Sequence, residues 1–146
     1  MPKEFHYTFV FKAGNVLTRS LLALGISFNG SALITVPGRR TGRPRSTPIT
    51  MVDFNGRRYV QSPFGSVDWV RNLRAAGKAT LSWGRRRETV SVTELSPAQA
   101  APVIKSMLGH APRMIRDYFD VTPESSLEDF VRDAPKRAVF LVNPAP

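Results

Sequence analysis

The residues of this chain that are best suited to chemistry are arginines. Four of them, with two glycines, stand in the eight residues Gly38–Arg45 (GRRTGRPR). Each guanidinium group forms two charge-assisted hydrogen bonds with a phosphate or a carboxylate. Glycine adopts backbone angles that other residues avoid, and it lets backbone N–H groups approach a ligand closely. The stretch is therefore predicted to bind an anionic group, and the competing interpretation is a solvated hairpin tip.

Composition excludes several other kinds of site. The sequence contains no cysteine, which rules out disulfides, thiolate catalysis and cysteine-ligated metals. The two histidines, His6 and His110, do not lie at a helical ligand spacing, so no metal site is predicted. No general acid can be named from these residue types.

The positive charge lies in the middle of the chain. The formal net charge is +10, and residues 31–95 carry 12 Lys and Arg against four Asp and Glu. This excess indicates an anionic partner. Nucleic acid is a remote alternative and is not expected, because the arginine-rich stretch is held between strands and the basic segments lack interleaved aromatic residues.

Strands are predicted on both sides of the arginine-rich stretch. Residues 31–36 (SALITV) precede it and residues 46–54 (STPITMVDF) follow it, both rich in β-branched and apolar residues. Asn55-Gly56 is a two-residue hairpin signal that leads into a third strand at residues 57–62. Ser66 is then predicted to cap a helix that Gly77 ends.

The remaining elements follow from alternation and helix signals. A hairpin is predicted from strands 80–83 and 89–93, a helix at 96–108, shorter helices at 112–119 and 123–132, and a last strand at 137–142. Six strands with a helix after the third and others before the last predict an antiparallel barrel with helices on its outside.

An apolar stretch precedes the strands. Residues 5–28 are predicted to form a helix that ends near Gly25, either covering one mouth of the core or lying at a membrane surface. It is too short and too polar to span a bilayer, and no signal-peptide cleavage site follows it. We therefore expect one domain over residues 1–146, with residues 1–28 as an N-terminal helical segment. A cytoplasmic location is expected, with membrane association as an open alternative.

Two motifs in order resemble a known family. The pattern G-R-R-T-G-x-P-R-x-x-P covers Gly38 to Pro48, and W-x-x-N-L covers Trp69 to Leu73. Together with the closing strand RAVFLV, they resemble the deazaflavin-dependent nitroreductase and quinone reductase family over about residues 20–142. The resemblance implies an α+β fold, mainly β, with a six-stranded antiparallel split β-barrel similar to FMN-binding proteins. It also implies coenzyme F420, with FMN as the alternative.

The resemblance also implies a set of coenzyme-binding residues. The arginines at 39, 40 and 45 correspond to the family's tail-binding Arg and Lys residues, and the backbone at 62–65 would contact the polar edge of the ring system. The implied site consists of Arg39, Arg40, Thr41, Gly42, Arg45, Ser46, Pro48, Ser62, Pro63, Phe64, Gly65, Trp69 and Asn72.

Some of these residues have a structural alternative. Trp69 is either a wall of the ring pocket or a core aromatic residue that continues the stripe of Leu73. Asn72 shares its helix face and is either a coenzyme contact, a surface amide or a cap to a neighbouring loop. The family places substrate-contacting aromatic residues where Tyr118 and Phe119 stand, and a core position is the alternative for both.

The resemblance implies an oxidoreductase. Reduced F420 would donate hydride to a quinone, nitro or other unsaturated acceptor, so the expected partners are an anionic cofactor and a small hydrophobic acceptor. A split-barrel binding protein for FMN, haem or a fatty acid is the alternative. Monomer and homodimer are both left open.

Overall fold

Six antiparallel strands close into a barrel in the computed structural model, which describes residues 31–111 and 113–144. The order around the barrel is β1-β2-β3-β6-β5-β4, and β4 pairs with β1 to complete the ring. This confirms the predicted fold class, whereas the predicted helix 5–28 lies outside the described residues. The strands span Ser31–Pro37 (β1), Pro44–Phe54 (β2), Arg57–Ser62 (β3), Lys78–Trp83 (β4), Arg86–Glu94 (β5) and Ala138–Pro144 (β6).

Alternate residues of each strand fill the inside of the barrel. Ile34 of β1 pairs with Leu81 of β4, and Val60 of β3 pairs with Phe140 of β6. Cross-strand partners point to the same face of a sheet, and all four of these side chains belong to one buried cluster. The β-branched and apolar alternation of the sequence therefore forms the core of the barrel.

The barrel has two ends that differ in what they carry. The upper end holds the turn between β1 and β2 at residues 38–43, the end of β3 at Ser62 and the start of β6 at Ala138. The lower end holds two-residue turns at 55–56 and 84–85. Asn55 and Gly56 have positive φ angles of 51° and 77°, as the predicted hairpin turn requires.

An ion pair closes the lower end. The guanidinium of Arg58 donates to both carboxylate oxygens of Glu88, each at 3.0 Å, and lies 5.6 Å from the centroid of the Trp83 ring. Arg58 alternates with Val60, so its side chain belongs to the inner face of β3. The Arg58–Glu88 pair and the Trp83 ring therefore cover the core at the lower end of the barrel.

A helix covers the upper end. Helix α1 spans Asp68–Ala76, and its fully buried Val70 and Leu73 join the cluster inside the barrel. Gly77 ends it in the left-handed conformation with φ 71°, and its N–H donates to the carbonyl of Leu73. The predicted stripe and the predicted end are both confirmed.

The predicted start of α1 is wrong. The N-cap position is held by Val67 without a side-chain cap, whereas the Ser66 hydroxyl accepts a hydrogen bond of 2.7 Å from Arg74. Arg74 also makes a forked contact with Glu94 at the end of β5, and this hydrogen bonding raises the pKa of Arg74. Arg74 therefore fixes α1 to β5 from outside the barrel, and Ser66 supports the guanidinium that makes this contact.

Further helices lie between β5 and β6 in the chain. They are α2 at Pro97–His110, α3 at Arg113–Arg116, α4 at Leu127–Asp133 and a 3-10 helix at Ala134–Lys136. Ser96 and Gln99 cap α2 reciprocally, at 3.3 and 3.0 Å. Apolar residues of α2, α4 and the 3-10 helix meet the outward side chains of β2, β3 and β6 in a second buried cluster.

Several predicted boundaries differ from those in the structure. Helices predicted at 112–119 and 123–132 are shorter, and Ser126 rather than Pro123 marks the start of α4, since its hydroxyl accepts from the N–H of Asp129. Strands β2, β4 and β5 begin earlier than predicted, because ladder pairing extends into polar residues that show no apolar alternation. Within the described ranges, no helix is long and apolar enough to cross a membrane.

Candidate functional site

The arginine-rich turn is closed by its own backbone. The N–H of Gly38 donates to the carbonyl of Arg43, and the N–H of Gly42 donates to the carbonyl of Gly38, both at 2.8 Å. Gly42 has a φ of 73°, which a residue with a side chain rarely adopts. The Thr41 hydroxyl accepts from the N–H of Arg43 at 3.2 Å. The turn is thus a compact hydrogen-bonded unit.

One arginine of the turn is attached to α1. The backbone N–H and the guanidinium of Arg39 both donate to Oδ1 of Asn72, at 3.1 and 2.8 Å. Asn72 is buried in α1 with 4% of its surface exposed, and Asp68 of the same helix lies 3.6 Å from the guanidinium. The structure therefore gives Asn72 the loop contact that sequence reasoning considered, and its contact with a coenzyme stays a prediction.

The other three arginines of the turn lie at the surface. Arg40, Arg43 and Arg45 are exposed, and none of them has a carboxylate or another side-chain hydrogen-bond acceptor among the described residues. The inner-face alternation of β2 places Arg45 at the rim of the barrel, opposite Val36. Three like charges beside each other favour an anionic ligand.

The segment after β3 lies at the same end of the barrel. Ser62 is 2% exposed, and its Oγ has no hydrogen-bond partner within the described part of the chain. Gly65 has a φ of 76°, and a Cβ atom there would lie 2.8 Å from the carbonyl oxygen of Lys136. The backbone of Ser62–Gly65, the post-β3 loop, thus packs directly against the segment that leads into β6.

A buried arginine that sequence reasoning missed holds this loop. The guanidinium of Arg137 donates to the carbonyl of Pro63 at 2.6 Å and pairs with the Asp133 carboxylate at 2.9 and 3.0 Å. The side chains of Arg137 and Asp133 are 7% and 2% exposed. An arginine directly before the apolar residues 138–142 was the available signal, because a charged residue at the end of a buried strand must find partners within the fold.

The remaining predicted residues fall into two groups. Trp69 is partly buried and packs against the barrel cluster, so its core contact is shown, while its contact with the coenzyme ring stays a prediction. Ser46 and Pro48 lie on the outer face of β2, where the Ser46 hydroxyl bonds that of Thr35 at 2.8 Å. Their side chains point to the opposite face of β2 from that of Arg45, because successive side chains of a strand alternate between its two faces.

Aromatic rings extend the site toward the helices. Phe64 of the post-β3 loop meets the Tyr118 ring edge-on, with centroids 5.1 Å apart. Phe119 is buried in the outer cluster, which agrees with its core alternative. No group of three potential metal-ligating residues comes together in residues 31–111 and 113–144.

A known family of proteins matches most of this chain. Residues 14–122 match the model of the F420H2-dependent quinone reductases, which is more than half of the chain. The chain therefore belongs to this oxidoreductase family, whose coenzyme is F420. None of the curated proteins matches it.

Solved structures share its fold. An F420H2-dependent reductase has a TM-score of 0.56 at 16% identity, with 81% of this chain and 97% of that one covered. A structure described as a domain-swapped dimer has a TM-score of 0.52 at 16% identity, with 92% and 99% covered. An FMN-binding protein related to pyridoxamine 5'-phosphate oxidase, from Nostoc punctiforme, has a TM-score of 0.55 at 12% identity, with 97% and 82% covered.

The described residues fit the family's coenzyme. F420 carries a phosphate and a tail of glutamyl carboxylates, and the turn offers three exposed guanidinium groups that no carboxylate of the described chain neutralises. The orphaned hydroxyl of Ser62 offers a hydrogen bond at the same end of the barrel. An anionic tail and a polar ring edge thus both have candidate partners.

Proposed function

We propose that this protein transfers hydride from reduced F420 to a quinone, nitro or other unsaturated acceptor, using the upper end of the barrel as its coenzyme site. The observation that carries the proposal is the set of exposed arginines that no carboxylate of the described residues neutralises, at the same end of the barrel as the post-β3 loop. The family supplies the reaction class, and the choice of acceptor is our inference.

The arginines of the turn have different tasks in this proposal. Arg40 and Arg45 bind the phosphate and the glutamyl carboxylates, while Arg39 holds the turn to Asn72 so that the other two are presented from a fixed backbone. This division follows from the contacts, because the Arg39 guanidinium is already engaged within the protein.

In this proposal, the post-β3 loop and α1 form the pocket for the coenzyme ring. The chemistry that F420 supplies when bound is hydride donation, which leaves distance and orientation to the protein. The hydroxyl of Ser62 hydrogen-bonds the polar edge of the ring, and Trp69 forms a wall beside it. A proton for the reduced acceptor comes from solvent in this proposal, because the carboxylates that the described contacts place around this end are already paired: Asp68 with Arg39, Glu94 with Arg74 and Asp133 with Arg137.

Titration of the protein with F420, followed by coenzyme fluorescence, tests the binding step. Quenching that saturates is expected, and oxidation of F420H2 by menadione and by a nitroaromatic compound is then measured. FMN is the competing ligand, because its phosphate suits the same turn. Binding of FMN with no binding of F420 would contradict the proposal.

A further inference from the structure

The side chain of Arg137 contacts the post-β3 loop, the segment at 118–119 and Asp133 at once. One nitrogen of its guanidinium donates to the carbonyl of Pro63 at 2.6 Å, and another donates to the carbonyl of Tyr118 at 3.2 Å. The guanidinium carbon also lies 3.9 Å from the centroid of the Phe119 ring. The post-β3 loop and the segment at 118–119 are therefore bound to the same planar group.

The orientation of this group is fixed by its buried partner. Asp133 accepts from Nε and Nη2 of Arg137, and both side chains are almost completely removed from solvent. A buried pair of this kind contributes little net stability compared with apolar residues, but a buried charge left without its partner is costly. The Arg137–Asp133 pair instead fixes geometry, because it orients the guanidinium so that its remaining N–H groups point at the carbonyls of Pro63 and Tyr118.

Additional contacts join the same segments around Arg137. The rings of Phe64 and Tyr118 meet edge-on at 5.1 Å, and Lys136 pairs with Asp120. Gly65 leaves room for the carbonyl of Lys136, where any larger residue would collide with backbone. The loop and the 118–120 segment consequently behave as one packed unit whose centre is the guanidinium.

We propose that Arg137, oriented by Asp133, is a positioning residue that sets the post-β3 loop relative to the aromatic segment at 118–119. This rests on the proposed function, in which the loop meets the coenzyme ring, and it assigns the partly buried Tyr118 to the acceptor side while Phe119 stays a core residue. The guanidinium of Arg137 then fixes the distance between the loop that meets the coenzyme and the segment that carries Tyr118. Lysine cannot replace it, because one ammonium group does not direct donors to Asp133 and to two separate carbonyls.

The variant Arg137→Lys tests the proposal. The matched control is Arg132→Lys, because Arg132 also pairs with an aspartate, Asp129, but in an exposed contact within α4. In the folded variant, kcat for the quinone is expected to fall about tenfold to 100-fold, as for a misplacement of about 1 Å. The dissociation constant of full-length F420 should change much less, since Arg40 and Arg45 are untouched. The control should match the parent in both.

Hydrogen exchange gives a readout that needs no coenzyme. Peptides that cover residues 62–67 and 117–120 should exchange faster in Arg137→Lys, while peptides from β1 and β4 stay as in the parent. If Arg137→Lys does not fold, Asp133→Asn is measured instead, with the same direction expected. Unchanged exchange in both segments would overturn the positioning role, even if F420 binds.

The outcomes also separate this role from the proposed function. If exchange in the two segments is faster in Arg137→Lys but the parent protein binds no F420, Arg137 still positions the loop and the proposed F420 function is wrong. A lower melting temperature with unchanged kcat and unchanged exchange in these segments would make Arg137 a stabilising residue alone, and would overturn the proposal.

Discussion

At the residue scale, the four arginines of the turn are not equivalent. Arg39 is bonded twice to Asn72, whereas Arg40 and Arg45 have no acceptor among the described residues. Substitution of the first should therefore disturb the turn itself. Substitution of the other two should disturb only what the turn binds.

Replacing Arg40 or Arg45 by Gln is expected to weaken F420 binding by about 1.5 to 3 kcal/mol each, or roughly 10- to 150-fold, because a charge-assisted contact is lost. The melting temperature should hardly change, since exposed arginines add little to folding. Fluorescence titration measures the affinity.

The matched control is Arg85→Gln, an exposed arginine in a tight turn at the lower end of the barrel. It should bind F420 as the parent does. A bare deazaflavin ring without phosphate and tail should bind equally to parent and turn variants. An equal loss for ring and full coenzyme would show that these arginines shape the barrel rather than hold the ligand.

Ser62 offers a second test, because its buried hydroxyl has no partner within the described residues. Ser62→Ala should leave the free energy of unfolding unchanged or higher, since an unsatisfied buried group is removed. Affinity for F420 should fall by about 0.5 to 1.5 kcal/mol, or roughly two- to tenfold, if the hydroxyl bonds the ring. Unaltered affinity would remove Ser62 from the site.

At the element scale, α1 serves both the core and the site. Val70 and Leu73 point into the barrel, and Asn72 holds the arginine-rich turn from the same helix. The position of the turn thus depends on how firmly α1 closes the upper end.

Leu73→Ala is expected to destabilise the fold by about 2 to 5 kcal/mol, as for other fully buried leucines. Urea denaturation measures this change. Leu127→Ala is the matched control, because Leu127 is 51% exposed, and it should cost far less. Similar losses at both positions would contradict the packing of α1 in the barrel end.

Much of this element structure was predictable from local patterns. The Asn55-Gly56 turn, the stripe on α1 and the capping box of Ser96 and Gln99 all depend on residues close in sequence. The start of α1 was not predictable, because the Ser66 hydroxyl accepts from Arg74, whose guanidinium is placed by its contact with Glu94 on β5.

The candidate site was predictable only in part, for the same physical reason. The arginine-rich turn was visible as composition, but the partner of Arg39 lies 33 residues away, and Arg137 reaches the carbonyl of a residue 74 positions earlier. Such contacts are decided by barrel closure, which brings distant segments to one end. No spacing within a short window encodes them.

At the scale of the whole molecule, charge is distributed unevenly over the chain. The excess of Lys and Arg lies within residues 31–95, which form the first five strands and α1. A field of one sign around the turn should attract an anionic coenzyme over several ångströms, and it should be screened by salt.

The dissociation constant for F420 is accordingly expected to rise with ionic strength between roughly 0.05 and 0.5 M salt, over which the screening length falls. The slope should be smaller in Arg40→Gln and in Arg45→Gln, since those charges no longer take part. Titration at four salt concentrations measures it. A parent slope equal to that of the variants would mean that the two arginines do not act electrostatically.

The place of β6 in the barrel affects how the protein is made. β6 pairs with both β3 and β5, yet it follows all the other strands in the chain. While the ribosome is still translating the helical region, β3 and β5 each have an unpaired edge, and such edges invite association between nascent chains. Arg137 lies directly before β6, so it too is made after the first five strands. Completion of the proposed coenzyme site and coverage of the two strand edges therefore both wait for the last segment of the barrel to be made.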